Sequence, residues 1–182
     1  VYTTTVNGRL EIGTTYGHNL GTVDGTGTIA METNQLPAGK FDGFFSCVGG
    51  TAEYGGNASY TISDRYATFK YLIITGSGTK TLPNKNIAVC NDLTVRGGTL
   101  KISHFSGGAS PKYTYIDGAV NIEASGALET AEWEHVHLKG NINKAGTANF
   151  RNNFPNQRFV FNGTLPQQIM GNYHGTNQNF YD

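Results

Sequence analysis

The stretch Tyr71-Leu-Ile-Ile-Thr-Gly-Ser-Gly-Thr-Lys-Thr-Leu-Pro-Asn-Lys-Asn-Ile-Ala-Val-Cys-Asn-Asp-Leu-Thr-Val-Arg-Gly-Gly-Thr-Leu100 decides the fold. Side chains alternate between the two faces of an extended strand, so Leu72 and Ile74 share a face. Ile87 and Val89 do the same, as do Leu93 and Val95. Glycine follows Ile74 at Gly76 and Val95 at Gly97, two positions on in each case. A strand that ends in glycine, where a Cβ would clash, is a strand that turns a corner.

The same phrase, an apolar residue, any residue, then glycine, recurs outward in both directions. It stands at Val6-Asn7-Gly8, Val23-Asp24-Gly25, Val48-Gly49-Gly50, Ile116-Asp117-Gly118, Leu138-Lys139-Gly140 and Phe161-Asn162-Gly163. From Gly76 onward the steps are 21, 21, 22 and 23 residues; before it they are 17, 25 and 26. A period of about 20 to 25 residues is the length of one solenoid coil. The pattern therefore predicts an all-β parallel solenoid (a β-helix) of about seven to eight coils over 1–182. Its hand is taken as right-handed on general preference, not from any residue. Val95, Ile116 and Leu138 are expected on successive coils.

Alternation extends the expected core to Leu10 and Ile12, Leu100 and Ile102, Val120 and Ile122, and Val136 and Leu138. Thr94, Arg96, Lys101, Asn121 and His137 are expected to face out. Two regions interrupt the rhythm. Residues 34–60 hold Pro37, Phe41, Phe44, Phe45, Tyr54 and Tyr60 among glycines and read as wider coils or a loop packed by its own aromatics. Residues 104–115 read as an insertion. Residues 126–138 have the most helical composition of the chain, but their alternation runs into Val136 and Leu138, so a strand is expected there.

Composition agrees and narrows the function. Glycine at 25 residues, abundant threonine and asparagine, and 12% aromatics suit short strands and tight turns. Charged residues make up only 14% and balance at 13 against 13, so no basic stripe exists to attract nucleic acid or anionic lipid. The longest apolar runs are a few residues, far short of a spanning helix. The chain opens at Val1 in a strand-like run, as a mature or excised piece of a longer repetitive protein would. Cys47 and Cys90 fit neither a zinc site nor a redox pair. They lie 43 residues apart, near two coil periods. Residues two rungs apart are about 9.6 Å distant, beyond the reach of a disulfide unless 34–60 folds back, so no bond is expected.

The stretch Tyr71–Leu100 resembles the repeats of very large secreted β-solenoid surface proteins of Bacteroidota, the flavobacterial group. Leu20–Ile29 and Phe161–Gly171 resemble further phrases of such repeats. The resemblance implies export to the cell surface, commonly by type 9 secretion with a C-terminal sorting domain, of which this chain shows no sign. It also implies an adhesin-like or structural role. It supplies no catalytic residue and no cofactor. The partners it suggests are further coils of the same protein or neighbouring subunits, and surface glycans.

The one cluster with candidate chemistry is Glu132-Trp133-Glu134-His135-Val136-His137. On a strand, Trp133, His135 and His137 share a face, and the glutamates share the other. Two histidines two apart can share a metal ion, but zinc needs at least a third protein ligand and none is evident, so no metal is assigned. Trp133 could stack on a sugar ring; packing against a neighbouring coil is the competing role. Acids such as Glu11, Glu32, Glu53 and Asp92 are scattered rather than paired across a cleft. Gly76-Ser77-Gly78-Thr79-Lys80-Thr81 lacks the spacer of a phosphate-binding loop and reads as a coil corner. A structural or adhesive rod without enzymatic activity is the first reading. A carbohydrate-binding or carbohydrate-cleaving module is the second.

Overall fold

The structure, a computed structural model, describes residues 2–14, 17–103, 112–131, 134–145, 147–152 and 158–172. Among them are nineteen strands and no helix, and each strand pairing is parallel. The chain is a β-solenoid, as its alternation indicates.

The longest ladder stacks Arg9–Ile12, Thr28–Met31, Thr51–Tyr54, Tyr71–Ile74, Leu93–Ile102, Val120–Thr130, Ile142–Lys144 and Ile169–Met170 in that order. One column of apolar side chains runs through it: Leu10, Ile29, Ala52, Leu72, Leu93, Val120, Ile142 and Ile169. From Ile29 to Ile142 these residues are at most 1% exposed. Each fully buried Leu or Ile contributes about 1.5–3 kcal/mol.

A second side of the coil stacks Thr68–Phe69, Ile87–Val89, Tyr113–Ile116, His135–Leu138 and Arg158–Phe161. A third side pairs Tyr60, Lys80, Leu100, Leu128 and Phe150 in one column. Leu93–Ile102 and Val120–Thr130 each serve two sides, and the register between them shifts between Val95 and Gly97, where the strand turns the corner. At the N-terminal end Thr3–Thr5, Asn19–Asp24 and Ala38–Lys40 form a separate three-stranded sheet.

The expected core is found. Ile12, Leu72, Ile74, Ile87, Val89, Leu100, Ile102, Val136 and Leu138 are buried, and Leu10 is partly buried against them. Residues 120–130 and 135–138 are strands despite their helical composition.

Two expectations about the coils need revision. The chain makes about six turns, slightly fewer than seven to eight. The apolar-x-Gly phrase also marks two different corners. Val95 pairs with Ile74 and Ile122 on the long ladder, whereas Ile116 pairs with Val89 and Leu138 on the second side. The step along the long ladder is thus 21 residues from Ile74 to Val95 and 27 from Val95 to Ile122. The near-constant spacing in the sequence mixes the two columns.

Within 34–60, Ala38–Lys40, Thr51–Tyr54 and Tyr60–Thr61 are strands, and residues 41–50 between the first two form a loop packed by aromatic rings. Phe41, Phe44 and Phe45 are buried. The Phe45 ring centroid lies 5.0 Å from that of Tyr66 and 5.8 Å from that of Phe69. The Phe41 N–H donates to the Tyr66 hydroxyl at 2.9 Å, and the Arg65 guanidinium donates to the carbonyls of Pro37 and Gly39. This plug fills the break between the N-terminal sheet and the second side.

The loop also corrects the expectation for the cysteines: Cys47 and Cys90 are bonded, with Cα atoms 5.3 Å apart. The two-rung distance applies to residues on the ladder. Cys47 is not on it; its loop leaves one coil and passes over the next to reach Cys90. Of the expected insertion, 104–111 lie outside the described residues, and Tyr113–Ile116 form a strand.

Candidate functional site

Two outward-facing clusters carry polar or aromatic chemistry. The first lies on the second side of the coil, where Tyr113–Ile116 and His135–Leu138 pair in register. Thr114, Ile116, Val136 and Leu138 point inward and are at most 1% exposed. The intervening positions therefore face out, which sets Tyr113 beside His135 and Tyr115 beside His137.

The four rings touch. Tyr113 lies 5.3 Å from His135 and 5.6 Å from His137, and Tyr115 lies 5.0 Å from His137, centroid to centroid. The Tyr113 and Tyr115 rings are 6.0 Å apart and within 21° of parallel. Offset and tilted contacts of this kind suit the ring quadrupoles. On one flank the register places the small Ala88 beside Tyr115, whose side chain stays 40% exposed. On the other flank stand Arg158, beside His135, and Val160, beside His137.

Partial burial, then the positive charges of Arg158 and of His137, hold the His135 pKa below the ordinary imidazole value. His135 is therefore neutral at neutral pH. His137 Nε2 is buried with no hydrogen-bond partner among the described residues. Glu134 is buried on the inner side, at 1% exposure. Trp133, with Glu132, lies outside the described residues. Among the described residues no group of three or more His, Cys, Asp or Glu is placed to hold a metal ion. The arrangement offers ring faces, ring edges and hydroxyls.

Tyr113 and Tyr115 were hidden in the sequence because they sit at the end of a stretch read as an insertion. The signal was present: in Tyr113-Thr-Tyr-Ile the rings alternate with β-branched residues, much as the rings of His135-Val-His-Leu alternate with apolar ones.

The second cluster lines a cleft of about 450 Å³ beside the long ladder. Register puts Glu11, Ala30 and Glu53 in one outward column. The Arg9 guanidinium donates to both Glu53 oxygens, at 2.6 and 3.0 Å, and the Thr75 hydroxyl donates to Oε1 at 3.1 Å. These bonds hold the Glu53 carboxyl below its ordinary value, against the opposing effect of burial. Glu53 is thus a fixed carboxylate and an unsuitable proton donor. Glu11 and Glu32 complete the acidic wall. The sequence could not assemble this cleft, because Arg9 and Glu53 are 44 residues apart and two coils of unequal length intervene.

Lys80 was also missed. It lies at an inward position between Thr79 and Thr81, is 0% exposed, and donates to the carbonyls of Gly56 and Ser77 at 2.7 and 2.6 Å. Its ammonium sits 5.4 Å from the Tyr60 ring centroid, and burial lowers its pKa. It closes a corner, and its parity in the strand was the available sign.

Compared with known proteins, the chain matches no family model, and no curated protein or solved structure matches it significantly.

Proposed function

We propose that this chain is a rigid rod section of a secreted bacterial cell-surface protein or filament, structural or adhesive in role. The observation that carries the reading is the uninterrupted parallel ladder from Arg9 to Met170, which extends length coil by coil with each coil resting on its neighbours. The Cys47–Cys90 bond supports an oxidising setting outside the cytosol. The resemblance of Tyr71–Leu100 to repeats of flavobacterial surface proteins supports the same setting and suggests type 9 export.

The reading is tested in source cells by protease shaving and antibody labelling of intact cells, together with thiol titration of the native protein. Surface labelling with no free thiol agrees with it. A protein confined to the cytoplasm with two titratable thiols overturns it.

A carbohydrate-binding role is favoured by one observation, the outward cluster of Tyr113, Tyr115, His135 and His137. Cleavage has no equivalent support, because Glu53, the best-placed carboxylate of the cleft, is tied to Arg9.

A further inference from the structure

We propose that the outward face formed by Tyr113, Tyr115, His135 and His137, with Arg158 at its border, binds an extended acidic polysaccharide. The inference rests on the chain being an extracellular rod, and it adds a site and a ligand class to that reading.

Two features of the face point to a sugar. The first is the rings themselves. On an outward solenoid strand the ordinary residue is small and polar, as Thr94 and Asn121 are on the long ladder. Here two adjacent coils instead present two rings each, in mutual contact at 5.0 to 6.0 Å. Aromatic side chains combine apolar area with a polar tip, which fits the mixed CH and OH surface of a pyranose ring. The second is openness. Ala88 stands where a third ring would fall, and Tyr115 remains 40% exposed.

Charge selects among sugars. Lys112 precedes the Tyr113 strand and Arg158 opens the strand beside His135, so cations border the entry to the face. Among the described residues the neighbouring carboxylates are turned away: Glu134 is buried inside, and Asp117 is paired with Lys139 at 2.8 Å beyond the far end of the strands. Arginine takes a carboxylate or sulfate in a two-pronged hydrogen bond. A polymer that repeats along its length suits a flat face on a rod, because several sugar units can contact successive rungs about 4.8 Å apart.

The test is calorimetric titration of the intact 182-residue chain with tetragalacturonate and, separately, with cellotetraose of equal length. Tetragalacturonate is expected to bind more tightly, and more weakly as salt rises. Tyr115→Ala is expected to weaken it about tenfold, the scale of one lost stacking contact, while Tyr115→Phe retains binding. Arg158→Gln should weaken tetragalacturonate and leave cellotetraose unaffected. An unchanged melting temperature for Tyr115→Ala separates loss of the site from loss of fold. Binding of neither sugar at millimolar concentration, or binding indifferent to Tyr113→Ala and Tyr115→Ala, overturns the site. Equal affinity for both sugars, unmoved by Arg158→Gln, overturns the acidic ligand class. Either failure leaves the rod reading standing, since that depends on surface exposure and thiol state.

Discussion

Cys47 is bonded to Cys90, 43 residues on, with Cα atoms 5.3 Å apart: Cys90 follows the strand Ile87–Val89, and its N–H donates to the Phe69 carbonyl of the neighbouring strand Thr68–Phe69. The bond closes a long loop in the unfolded chain, and chain entropy assigns such a closure about 4 kcal/mol. Replacing both cysteines with serine should lower stability by that order. Hydrogen exchange should rise over 41–50 and around Phe69, and remain slow near Val120 and Ile142, because distant coils share no contact with the loop. Equal melting curves with and without reductant would show that the aromatic plug holds the loop unaided.

Arg9 and Glu53 provide a test of the ladder's outer surface. Glu53 is one-tenth exposed at its side chain and Arg9 about half, so the pair is screened on one side only. Arg9→Met should cost about 1–3 kcal/mol by leaving a mostly buried carboxylate with Thr75 alone. Adding Glu53→Gln should recover part of that loss. The pH dependence follows from the depressed carboxyl. The unfolded chain takes up the proton first as pH falls below about 4.5, so the stabilisation is complete above that value and is lost as pH drops through the lower folded one. Urea midpoints measured from pH 6 to pH 3 should fall less steeply in Glu53→Gln than in the parent. Parallel slopes would remove the pair from the account.

Burial pushes the Tyr54 hydroxyl well above its ordinary value, and that of Tyr60 to about 12, with Glu32 adding to the second. A raised folded value means stability that is complete below pH 10, where the unfolded phenol ionises, and lost as pH climbs past it. Ultraviolet titration should therefore show Tyr54 silent until the protein unfolds, and Tyr54→Phe should shift alkaline unfolding upward. Smooth ionisation of every tyrosine near pH 10, with the fold intact, would contradict the burial of Tyr54.

Gly76 and Gly8 both end the apolar-x-Gly phrase, but only one needs to be glycine on steric grounds. At Gly76 φ is +75°, and an added Cβ would fall 2.2 Å from the carbonyl oxygen of Gly56 in the coil below. At Gly8 nothing lies within 4 Å of that position. Gly76→Ala should destabilise by more than about 2 kcal/mol, from left-handed strain and backbone displacement together, and Gly8→Ala by less than about 1. Similar melting temperatures for the two variants would remove the close coil approach at Gly76.

The fold was legible in the sequence because alternation and corner glycines are local signals. Leu72-x-Ile74 and Val120-x-Ile122 state which face is buried without reference to any other coil. The same parity marks Lys80, which hydropathy alone hides. Register between coils is not local. Val95 stacks on Ile122 and not on Ile116 because Ile116 lies on the second side, and the residues that lengthen this coil fall between Lys101, 20 on from Thr81, and Thr114, 27 on from Ile87, so nothing near Val95 reports them. The Cys47–Cys90 bond and the Arg9–Glu53 pair depend on loop path and coil length over more than forty residues, so no local stretch encodes either. His135 and His137 could be placed on a common face from their spacing, whereas their partners Tyr113 and Tyr115 emerged only with the strand pairing.

The central claim, a rigid rod that gains length one rung at a time, is tested most directly by electron spin resonance distances along one outward column. Glu11, Ala30, Glu53, Ile73, Thr94, Asn121 and Asn143 occupy successive rungs. With Cys47 and Cys90 bonded, labels can be placed on cysteines introduced at Glu11 and Thr94, or at Glu11 and Asn143. Four and six rungs at about 4.8 Å give backbone separations of about 19 and 29 Å. The account expects two narrow distributions whose centres differ by about 10 Å. Broad distributions, or distances that do not lengthen from Thr94 to Asn143, would contradict it.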